Sequence, residues 1–230
     1  MDFARLQMEC VRDLPLPVVV AVVAGGVVLY VLFVRGRSLP AIPFELKPPA
    51  ESAPGWAGRP ILDAPGITVA GEPGVIQCYD PATGRSLGRV QATTLEELEQ
   101  RLGRARAAQA AWAQTTFEQR RQVLRTLLAF VLGHQREICQ VACRDSGKTL
   151  VDATLGEVLT TAAKLQWTIK HGERALQDDV RDPGFMMAYK RAKVVYQPRG
   201  VVAALVSWNY PFHNTVGPVI SALFAGNAIV

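Results

Sequence analysis

PRGVVAALVSWNYPFHNTVGPVISALFAGNAIV, residues 198–230, is the stretch of sequence that decides the fold. Its continuous apolar run over Val201–Val206 is typical of a strand buried on both sides of a parallel sheet. A helical segment follows from His213 to Phe224, Ala225-Gly226-Asn227 interrupts it, and Ala228–Val230 starts a second buried strand. Strand, helix and strand in this order predict an α/β fold that opens a doubly wound, nucleotide-binding sheet.

The turn after the first predicted strand lacks the glycines that usually hold a dinucleotide phosphate. No Gly-x-Gly-x-x-Gly follows Val201, and the strand leads into Trp208-Asn209-Tyr210-Pro211 instead. A chain that ends on an apolar strand, one unit into a parallel sheet, has no neighbours to bury that strand. The residues alone therefore indicate an incomplete α/β protein and leave nucleotide binding open.

A largely helical region is expected before this unit. Thr94 and Glu97 form a capping box, and Thr116 and Gln119 stand in the same relation ahead of a second helix. The predicted segments are a hairpin within Tyr79–Val90, helices at 95–112, 116–133, 135–144 and 151–170, and a half-exposed strand at Tyr189–Gln197. The fourth helix is expected to bury Val151, Leu155, Val158, Leu159, Ala162, Leu165 and Ile169.

The N-terminus contains an uncharged stretch, LPLPVVVAVVAGGVVLYVLFV, over residues 14–34. A helix of about 20 apolar residues crosses the hydrocarbon core of a bilayer. A cleaved signal peptide would have a shorter apolar region, and a buried soluble helix would have a polar face. The stretch therefore predicts a transmembrane signal anchor, and the basic residues on its two sides favour a cytosolic C-terminal side.

The anchor divides the chain into four predicted parts. Residues 1–13 form a tail, 14–34 the transmembrane helix, 35–72 a linker rich in proline and glycine, and 73–230 the folded domain. The proline content of the linker predicts little regular structure there.

Neither the charge nor the cysteine content indicates nucleic-acid or metal binding. The net charge of +5 is scattered among acidic residues, which favours a solvated mixed surface over a nucleic-acid interface. Of the four cysteines, Cys139 and Cys143 share a face of a predicted helix, while Cys10 and Cys78 lie apart. None has a histidine at zinc-ligand spacing, so a small apolar role is favoured for them and no metal is expected.

A series of short motifs in residues 79–230 carries a resemblance to a known family. The motifs are Asp80-Pro81-Ala82-Thr83-Gly84, Ala107–Trp112, Arg120–Leu127, Ser146-Gly147-Lys148, Gly156-Glu157, Pro198-Arg199-Gly200-Val201, Trp208-Asn209-Tyr210-Pro211 and Ala225-Gly226-Asn227. With these motifs in order, the segment resembles the aldehyde dehydrogenase superfamily, and the Trp-Asn-Tyr-Pro motif is the most specific of them. The N-terminal anchor is similar to that of a membrane-anchored branch of this family.

The resemblance implies a chemistry and a set of site residues. Family members oxidise an aldehyde to a carboxylic acid with NAD or NADP, using a cysteine thiolate as nucleophile and a carboxylate that activates water. Asn209 matches the family's side-chain donor to the oxyanion, so it is the expected catalytic residue. Val206, Ser207, Trp208 and Asn209 match the segment that contacts the cofactor, although Ser207 stands where the family usually has proline.

The resemblance also implies that other parts of the active site follow Val230. The nucleophilic cysteine, the general-base glutamate and a lysine that binds the adenosine ribose are all expected there. None of the four cysteines has the family's context, and Cys139 and Cys143 precede Asn209, whereas the nucleophile follows it. The chain is therefore expected to be an N-terminal fragment that is inactive alone.

Two functions of different classes follow from these expectations. In the first, the full-length protein is a membrane-anchored, homo-oligomeric dehydrogenase of aldehydes, including lipid-derived ones, in the endoplasmic reticulum or another endomembrane with its domain in the cytosol. In the second, a short form without catalysis acts as a membrane-tethered interaction or oligomerisation module. Neither hypothesis involves nucleic acid.

Deletion of residues 1–34 is expected to release the protein from membranes, because the deleted stretch is the predicted anchor. Deletion of residues 1–13 alone is the matched control, since it leaves the apolar stretch intact and should leave the protein in the membrane. Alkaline carbonate extraction followed by centrifugation measures the distribution. If the protein that lacks residues 1–34 stays in the carbonate-resistant pellet, its membrane anchor lies elsewhere in the chain.

Overall fold

The computed structural model describes residues 17, 20, 21, 23–28, 38–56 and 59–230. It contains two compact units, Met1–Leu39 and Pro40–Val230. Residues 23–28 of the first unit are helical, but the predicted tail at 1–13 and most of the predicted anchor at 14–34 lie outside the described residues. Within the described ranges no helix combines the length and the hydropathy needed to cross a membrane. The transmembrane anchor stays a prediction.

The second unit combines helices with short strands. In chain order its described elements are β1 (Val75–Tyr79), β2 (Ser86–Gln91), α1 (Leu95–Trp112), α2 (Phe117–Gly133), α3 (Gln135–Ser146), α4 (Leu150–Ala153), a π-helical turn (Thr154–Leu159), α5 (Thr160–Ala175), β3 (Asp179–Arg181), β4 (Ala192–Val194), β5 (Val201–Val202), α6 (Pro211–Phe224) and β6 (Ala228–Ile229). Single 3-10 turns are found at Ala50–Ser52 and Phe185–Met187. The strands form three two-stranded sheets: β1–β2 and β3–β4 are antiparallel, and β5–β6 is parallel.

The local signals at the starts of the first two helices are confirmed. The Thr94 hydroxyl accepts from the Glu97 N–H, and the Glu97 side chain accepts from the Thr94 N–H. Thr116 and Gln119 form the same reciprocal pair at the start of α2. Each box satisfies two backbone donors that a helix N-terminus otherwise leaves without partners, which explains why α1 and α2 begin where the sequence predicts.

The hydrophobic core lies among α2, α3, the α4–α5 segment and α6. Its buried residues are Leu124, Val131, Cys139, Ala142, Ala153, Val158, Leu165, Ile220 and Phe224. Leu124 and Val131 are two turns apart on α2 and so face the same side, as the predicted stripe requires. Burying each large apolar side chain contributes about 1.5–3 kcal/mol, so this cluster holds the helices together.

The predicted buried stripe of the fourth helix is partly wrong. Val158, Ala162 and Leu165 are buried as expected, but Val151, Leu155 and Leu159 are exposed. The inward face carries polar residues instead, among them Glu157, Thr161 and Thr168. The segment also departs from a regular α-helix, because the Thr160 N–H donates to the Leu155 carbonyl across a π-helical turn. Hydrophobic periodicity could not indicate a buried face built partly from polar groups.

The parallel strand unit is confirmed, although its strands are shorter than predicted. β5 pairs with β6 through Val201–Ala228 and Val202–Ile229, and the Ala204 N–H donates to the Val230 carbonyl. The prediction that Val201–Val206 is buried on both sides is wrong: Val201 and Val202 are half-buried, and Leu205 is fully exposed. Helices cover the faces of a parallel sheet, and Leu205 lies beyond the short β5–β6 pairing, which ends at Val202.

The predicted strand at Tyr189–Gln197 is also shorter in the structure. Only Ala192–Val194 forms a strand, and it pairs antiparallel with Asp179–Arg181. Tyr189 and Tyr196 are exposed on either side of it. The alternation of the sequence indicated the strand but not its length, because the pairing partner contributes only three residues.

The predicted linker at 35–72 does not act only as a linker, because from Pro40 onwards it belongs to the second unit. The Ile42 N–H donates to the Thr126 hydroxyl at 2.8 Å, and the Phe44 ring meets the Phe130 ring edge to face at a centroid distance of 5.9 Å. Little regular structure is present there, as expected, but these contacts attach the segment to α2.

A buried arginine holds the C-terminal end of α6. The Arg120 guanidinium donates to the Phe224 carbonyl at 3.1 Å, the Ala113 carbonyl at 2.9 Å and the Thr115 hydroxyl at 3.0 Å. Burial lowers the pKa of Arg120 from its ordinary value. A cation at a helix C-terminus interacts favourably with the helix dipole and with the last carbonyl groups.

Replacing Arg120 with methionine is expected to lower the free energy of unfolding by roughly 2–3 kcal/mol, because buried carbonyls lose a charged donor. Urea denaturation followed by circular dichroism measures the change. Arg104→Met, on the exposed face of α1, is the control and should change stability by less than about 0.5 kcal/mol. Equal effects of the two substitutions on the free energy of unfolding would show that the buried hydrogen bonds of Arg120 do not stabilise the fold.

Candidate functional site

The candidate site lies at the carboxyl end of β5, between the parallel strand and helix α6. Val206, Ser207, Trp208 and Asn209, the residues predicted to contact a cofactor, follow one another there and are all exposed. Trp208 is 78% exposed. The carboxyl ends of strands are where open α/β sheets bind ligands, so the position fits the prediction made for these residues.

The Asn209 side chain is held by its oxygen. Its Oδ1 accepts from the Ser207 hydroxyl at 2.8 Å and from the Asn214 amide at 3.3 Å. The Asn214 amide also donates to the Ser207 hydroxyl at 2.8 Å, which closes a small triangle of hydrogen bonds. With Oδ1 engaged in this way, the Asn209 NH2 group has no partner among the described residues and remains a donor without charge.

Lys148 reaches the same turn from the loop after α3. Its ammonium donates to the Asn209 backbone carbonyl at 2.6 Å and to Glu157 Oε1 at 2.7 Å. It also lies 3.7 Å from the centroid of the Tyr210 ring, in cation–π contact. The Lys148 side chain is only 8% exposed, so these contacts replace most of the water that an ammonium group would otherwise bind.

Glu157 is the partner of Lys148 and is completely buried, in the π-helical turn. While Oε1 accepts from Lys148, Oε2 accepts from the His213 backbone N–H at 2.9 Å. His213 lies in the first turn of α6, where backbone N–H groups have no intrahelical partner and the helix dipole favours a negative charge. The carboxylate thus satisfies both a cation and a helix N-terminus.

The Tyr210 ring lies against the π-helical turn and needs the glycine there. A Cβ at Gly156 would overlap the ring, so the close approach of Tyr210 requires the absence of a side chain. The Tyr210 hydroxyl donates to Asp152 Oδ1 at 3.0 Å. That hydrogen bond, together with the negative charge of Asp152, raises the pKa of Tyr210.

Cys139 and Cys143 do not have the environment of a nucleophile. Cys139 is buried, and its sulfur lies 3.7 Å from the Thr154 hydroxyl. Burial raises the pKa of the Cys143 thiol, which keeps it protonated and poorly reactive near neutral pH. No cluster of three or more metal-ligating side chains occurs among the residues that the structure describes.

The strand end fits contact with a nicotinamide cofactor by the donors it presents. The backbone N–H groups of residues 206–209 donate to no described residue, and their side chains face solvent. Exposed backbone groups at a strand end, beside a neutral amide donor, suit the polar parts of a dinucleotide. Val206, Ser207 and Trp208 are therefore the residues of this chain that would lie along it.

The site also includes residues for which the sequence predicted no role. Lys148, Glu157 and Tyr210 lie within three of the motifs that carry the family resemblance, but spacing alone does not indicate that they meet. Lys148 and Tyr210 are 62 positions apart in the chain and are brought together only by the fold. Asp152 had no motif to indicate it.

Comparison with known proteins agrees with the fold. Residues 68–230 match the aldehyde dehydrogenase family. The chain belongs to this family, whose members are oxidoreductases.

Two fungal proteins show the similarity most directly. An aldehyde dehydrogenase-like protein of Saccharomyces cerevisiae is 44% identical over 224 residues, which cover 92% of this chain and 34% of that protein. An aldehyde dehydrogenase-like protein of Schizosaccharomyces pombe is 46% identical over 155 residues, covering 67% of this chain and 30% of that protein. The chain therefore spans about a third of the length of these relatives.

Solved structures show the same partial likeness. The crystal structure of an NADP-dependent enzyme of Escherichia coli has a TM-score of 0.61 at 30% identity, over 67% of this chain and 31% of that one. An NADP-dependent glyceraldehyde-3-phosphate dehydrogenase from Bacillus halodurans, complexed with NADP, has a TM-score of 0.61 at 26% identity, over 69% of this chain and 33% of that one. The described α/β unit is thus part of an aldehyde dehydrogenase fold.

Gly156→Ala is expected to destabilise the protein by about 1–3 kcal/mol, because the new methyl group displaces the Tyr210 ring. Gly103→Ala is the matched control: Gly103 lies within α1, and no described atom lies within 4 Å of the position its Cβ would take. That control should gain about 0.5–1 kcal/mol from helix propensity. Thermal unfolding of both variants measures the difference, and a gain in both would contradict the packing of Tyr210.

Proposed function

We propose that this chain is the N-terminal part of a longer, membrane-anchored enzyme that oxidises aldehydes to carboxylic acids with NAD(P)+. Family membership supports the oxidation of aldehydes in general. The finer assignments rest on the site at the end of β5, in which Asn209 is the catalytic residue and Val206, Ser207, Trp208 and Asn209 are the cofactor-binding residues.

The observation that carries the proposal is the orientation of the Asn209 amide. Its oxygen accepts hydrogen bonds from Ser207 and Asn214, which leaves its NH2 group as a donor with no partner among the described residues. Attack on an aldehyde turns the carbonyl oxygen into an alkoxide, and a fixed donor stabilises this charge without having to reorganise. A neutral amide donates to the alkoxide without transferring a proton to it, so the negative charge that favours hydride departure is retained.

The cofactor supplies the hydride acceptor when it is bound. In this chain, the exposed backbone of residues 206–208 would hold it along the strand end. The two solved structures compared above are NADP-dependent according to their names, which supports a nicotinamide dinucleotide in general, and we propose NAD or NADP as the cofactor. The family resemblance also implies a nucleophilic cysteine and a general-base glutamate, and we propose that the longer enzyme supplies them.

The location and the partners of the enzyme are part of the same proposal. The apolar stretch at 14–34 supports a single-pass protein of the endoplasmic reticulum or another endomembrane, with its catalytic domain in the cytosol. Attachment to a membrane would give the site access to lipid-derived aldehydes. We further propose that the full-length enzyme is a homo-oligomer.

A second function is supported by one feature of the surface. Phe185, Met186 and Tyr189, in the connection between β3 and β4, are 93%, 82% and 77% exposed. Exposed apolar side chains grouped on one connection are typical of a protein interaction surface. A short form that ends at Val230 would then act as a non-catalytic, membrane-tethered oligomerisation module.

Asn209→Ala in the longer enzyme is expected to lower kcat by roughly 10²–10³-fold, because the alkoxide loses one of its donors. The cofactor Kd should change little if the backbone makes most of that contact. Thr215→Ala is a suitable control, since Thr215 is an exposed residue of α6 whose hydroxyl donates within its own helix, to the Pro211 carbonyl. Aldehyde-dependent NAD(P)H formation measures the rates.

Three results would contradict the proposal. Full turnover by Asn209→Ala would remove this residue from the mechanism. Turnover by the isolated chain of residues 1–230 would show that the nucleophile lies within that chain. Absence of any dehydrogenase activity in the longer protein would favour the oligomerisation module.

A further inference from the structure

We propose that Lys148 and Glu157 are positioning residues that fix residues 209–213, the Asn209 turn, through a buried ion pair. The inference rests on the proposed role of Asn209 and adds the interaction that positions the Asn209 amide. The hydrogen bonds of the two side chains go to each other and to backbone groups, and none goes to the Asn209 side chain. Both act on the backbone that follows the Asn209 side chain, Lys148 at the Asn209 carbonyl and Glu157 at the His213 N–H.

Lys148 acts on the amino-terminal side of the turn. The Asn209 carbonyl that accepts from its ammonium belongs to the Asn209–Tyr210 peptide, so the hydrogen bond of 2.6 Å sets the plane of that peptide. The same ammonium lies over the Tyr210 ring. One buried cation therefore holds both residues of the peptide that follows the Asn209 side chain.

Glu157 acts on the carboxyl-terminal side of the turn. Its Oε2 accepts the His213 N–H and so fixes the first turn of α6, while its Oε1 fixes the ammonium. The distance between the two sides of the turn is thereby set by a single carboxylate group. Because Glu157 is fully buried, water cannot replace either contact at low cost.

The other charges around Lys148 support the same arrangement. The nearest further acidic group, Asp152 Oδ2, is 4.0 Å from the ammonium, and the other oxygen of Asp152 accepts from the Tyr210 hydroxyl. Asp152 thus holds the outer edge of the Tyr210 ring. The Asn209 side chain is fixed by Ser207 and Asn214 on the exposed side, whereas its backbone is fixed from the buried side by residues of the α3–α5 region.

Asn209–Tyr210 is the only Asn-Tyr pair in the sequence, so it can be observed by selective labelling. Protein labelled with ¹³C at the asparagine carbonyl and with ¹⁵N in tyrosine gives one carbonyl-to-amide NMR cross-peak, from this peptide. In Lys148→Met combined with Glu157→Gln, which removes both charges and keeps similar volumes, we expect the carbonyl signal to move upfield through loss of the ammonium hydrogen bond. The exposed pair Lys193 and Asp178, 2.6 Å apart, provides the matched control as Lys193→Met with Asp178→Asn, and should leave the signal unchanged.

A second variant keeps the test decisive if the double variant does not fold. Lys148→Gln retains an amide donor for Glu157 but is too short to reach the Asn209 carbonyl as well. We expect the same upfield movement in this variant. An unchanged cross-peak in either folded variant would overturn the proposal.

Kinetics of the longer enzyme separate this inference from the role of Asn209 itself. A displaced donor should lower kcat by up to roughly 10²-fold with little change in the cofactor Kd, since misplacement by about 1 Å can cost that much. If the cross-peak moves but Asn209→Ala keeps full turnover, the positioning holds and the catalytic role fails. If the cross-peak stays unchanged while Asn209→Ala is inactive, the catalytic role stands and the positioning is wrong.

Discussion

The buried carboxylate of Glu157 is the interaction on which the arrangement of the site depends. Removing a carboxylate from water costs several kcal/mol even after the protein relaxes around it, and partners must offset this cost. The partners here are the Lys148 ammonium and the His213 N–H, which come from the loop after α3 and from the start of α6. Satisfying one buried charge therefore requires the loop after α3, the π-helical turn and the start of α6 to meet.

The same electrostatic logic applies at both ends of α6. Glu157 supplies a negative charge at the N-terminus, and Arg120 supplies a positive charge at the C-terminus, where its guanidinium binds the Phe224 carbonyl. Both charges match the helix dipole and use backbone groups that the helix itself leaves without partners. The helix is thus fixed along its axis by two buried ions as well as by the apolar contacts of Ile220 and Phe224. Pro211, the first residue of α6, lies two positions after Asn209, so the position of the helix sets that of the candidate donor.

Sequence patterns predicted the parts of this fold that depend on local chemistry. The capping boxes at Thr94 and Thr116 and the strand–helix–strand order after Val201 depend on neighbouring residues, and the structure confirms them. The burial of Glu157 could not be predicted, because a glutamate on a helix normally faces solvent and its partners lie 9 and 56 positions away. Exposure of Leu205 was missed for a related reason: an apolar run indicates a tendency to be buried, but the elements that pack on the faces of the strand decide whether burial occurs.

The exposure of the candidate site explains why buried charges surround it. Val206, Ser207, Trp208 and Asn209 make few contacts of their own, so packing cannot hold them in place. A buried ion pair adds little to stability compared with apolar residues of the same volume, and stability alone is therefore a poor reason for one here. Its directional contacts instead fix the geometry of an exposed turn, which apolar groups could not do because dispersion forces have no preferred direction. The Asn209 turn can then stay exposed to substrate and cofactor while the buried Lys148–Glu157 pair fixes its backbone.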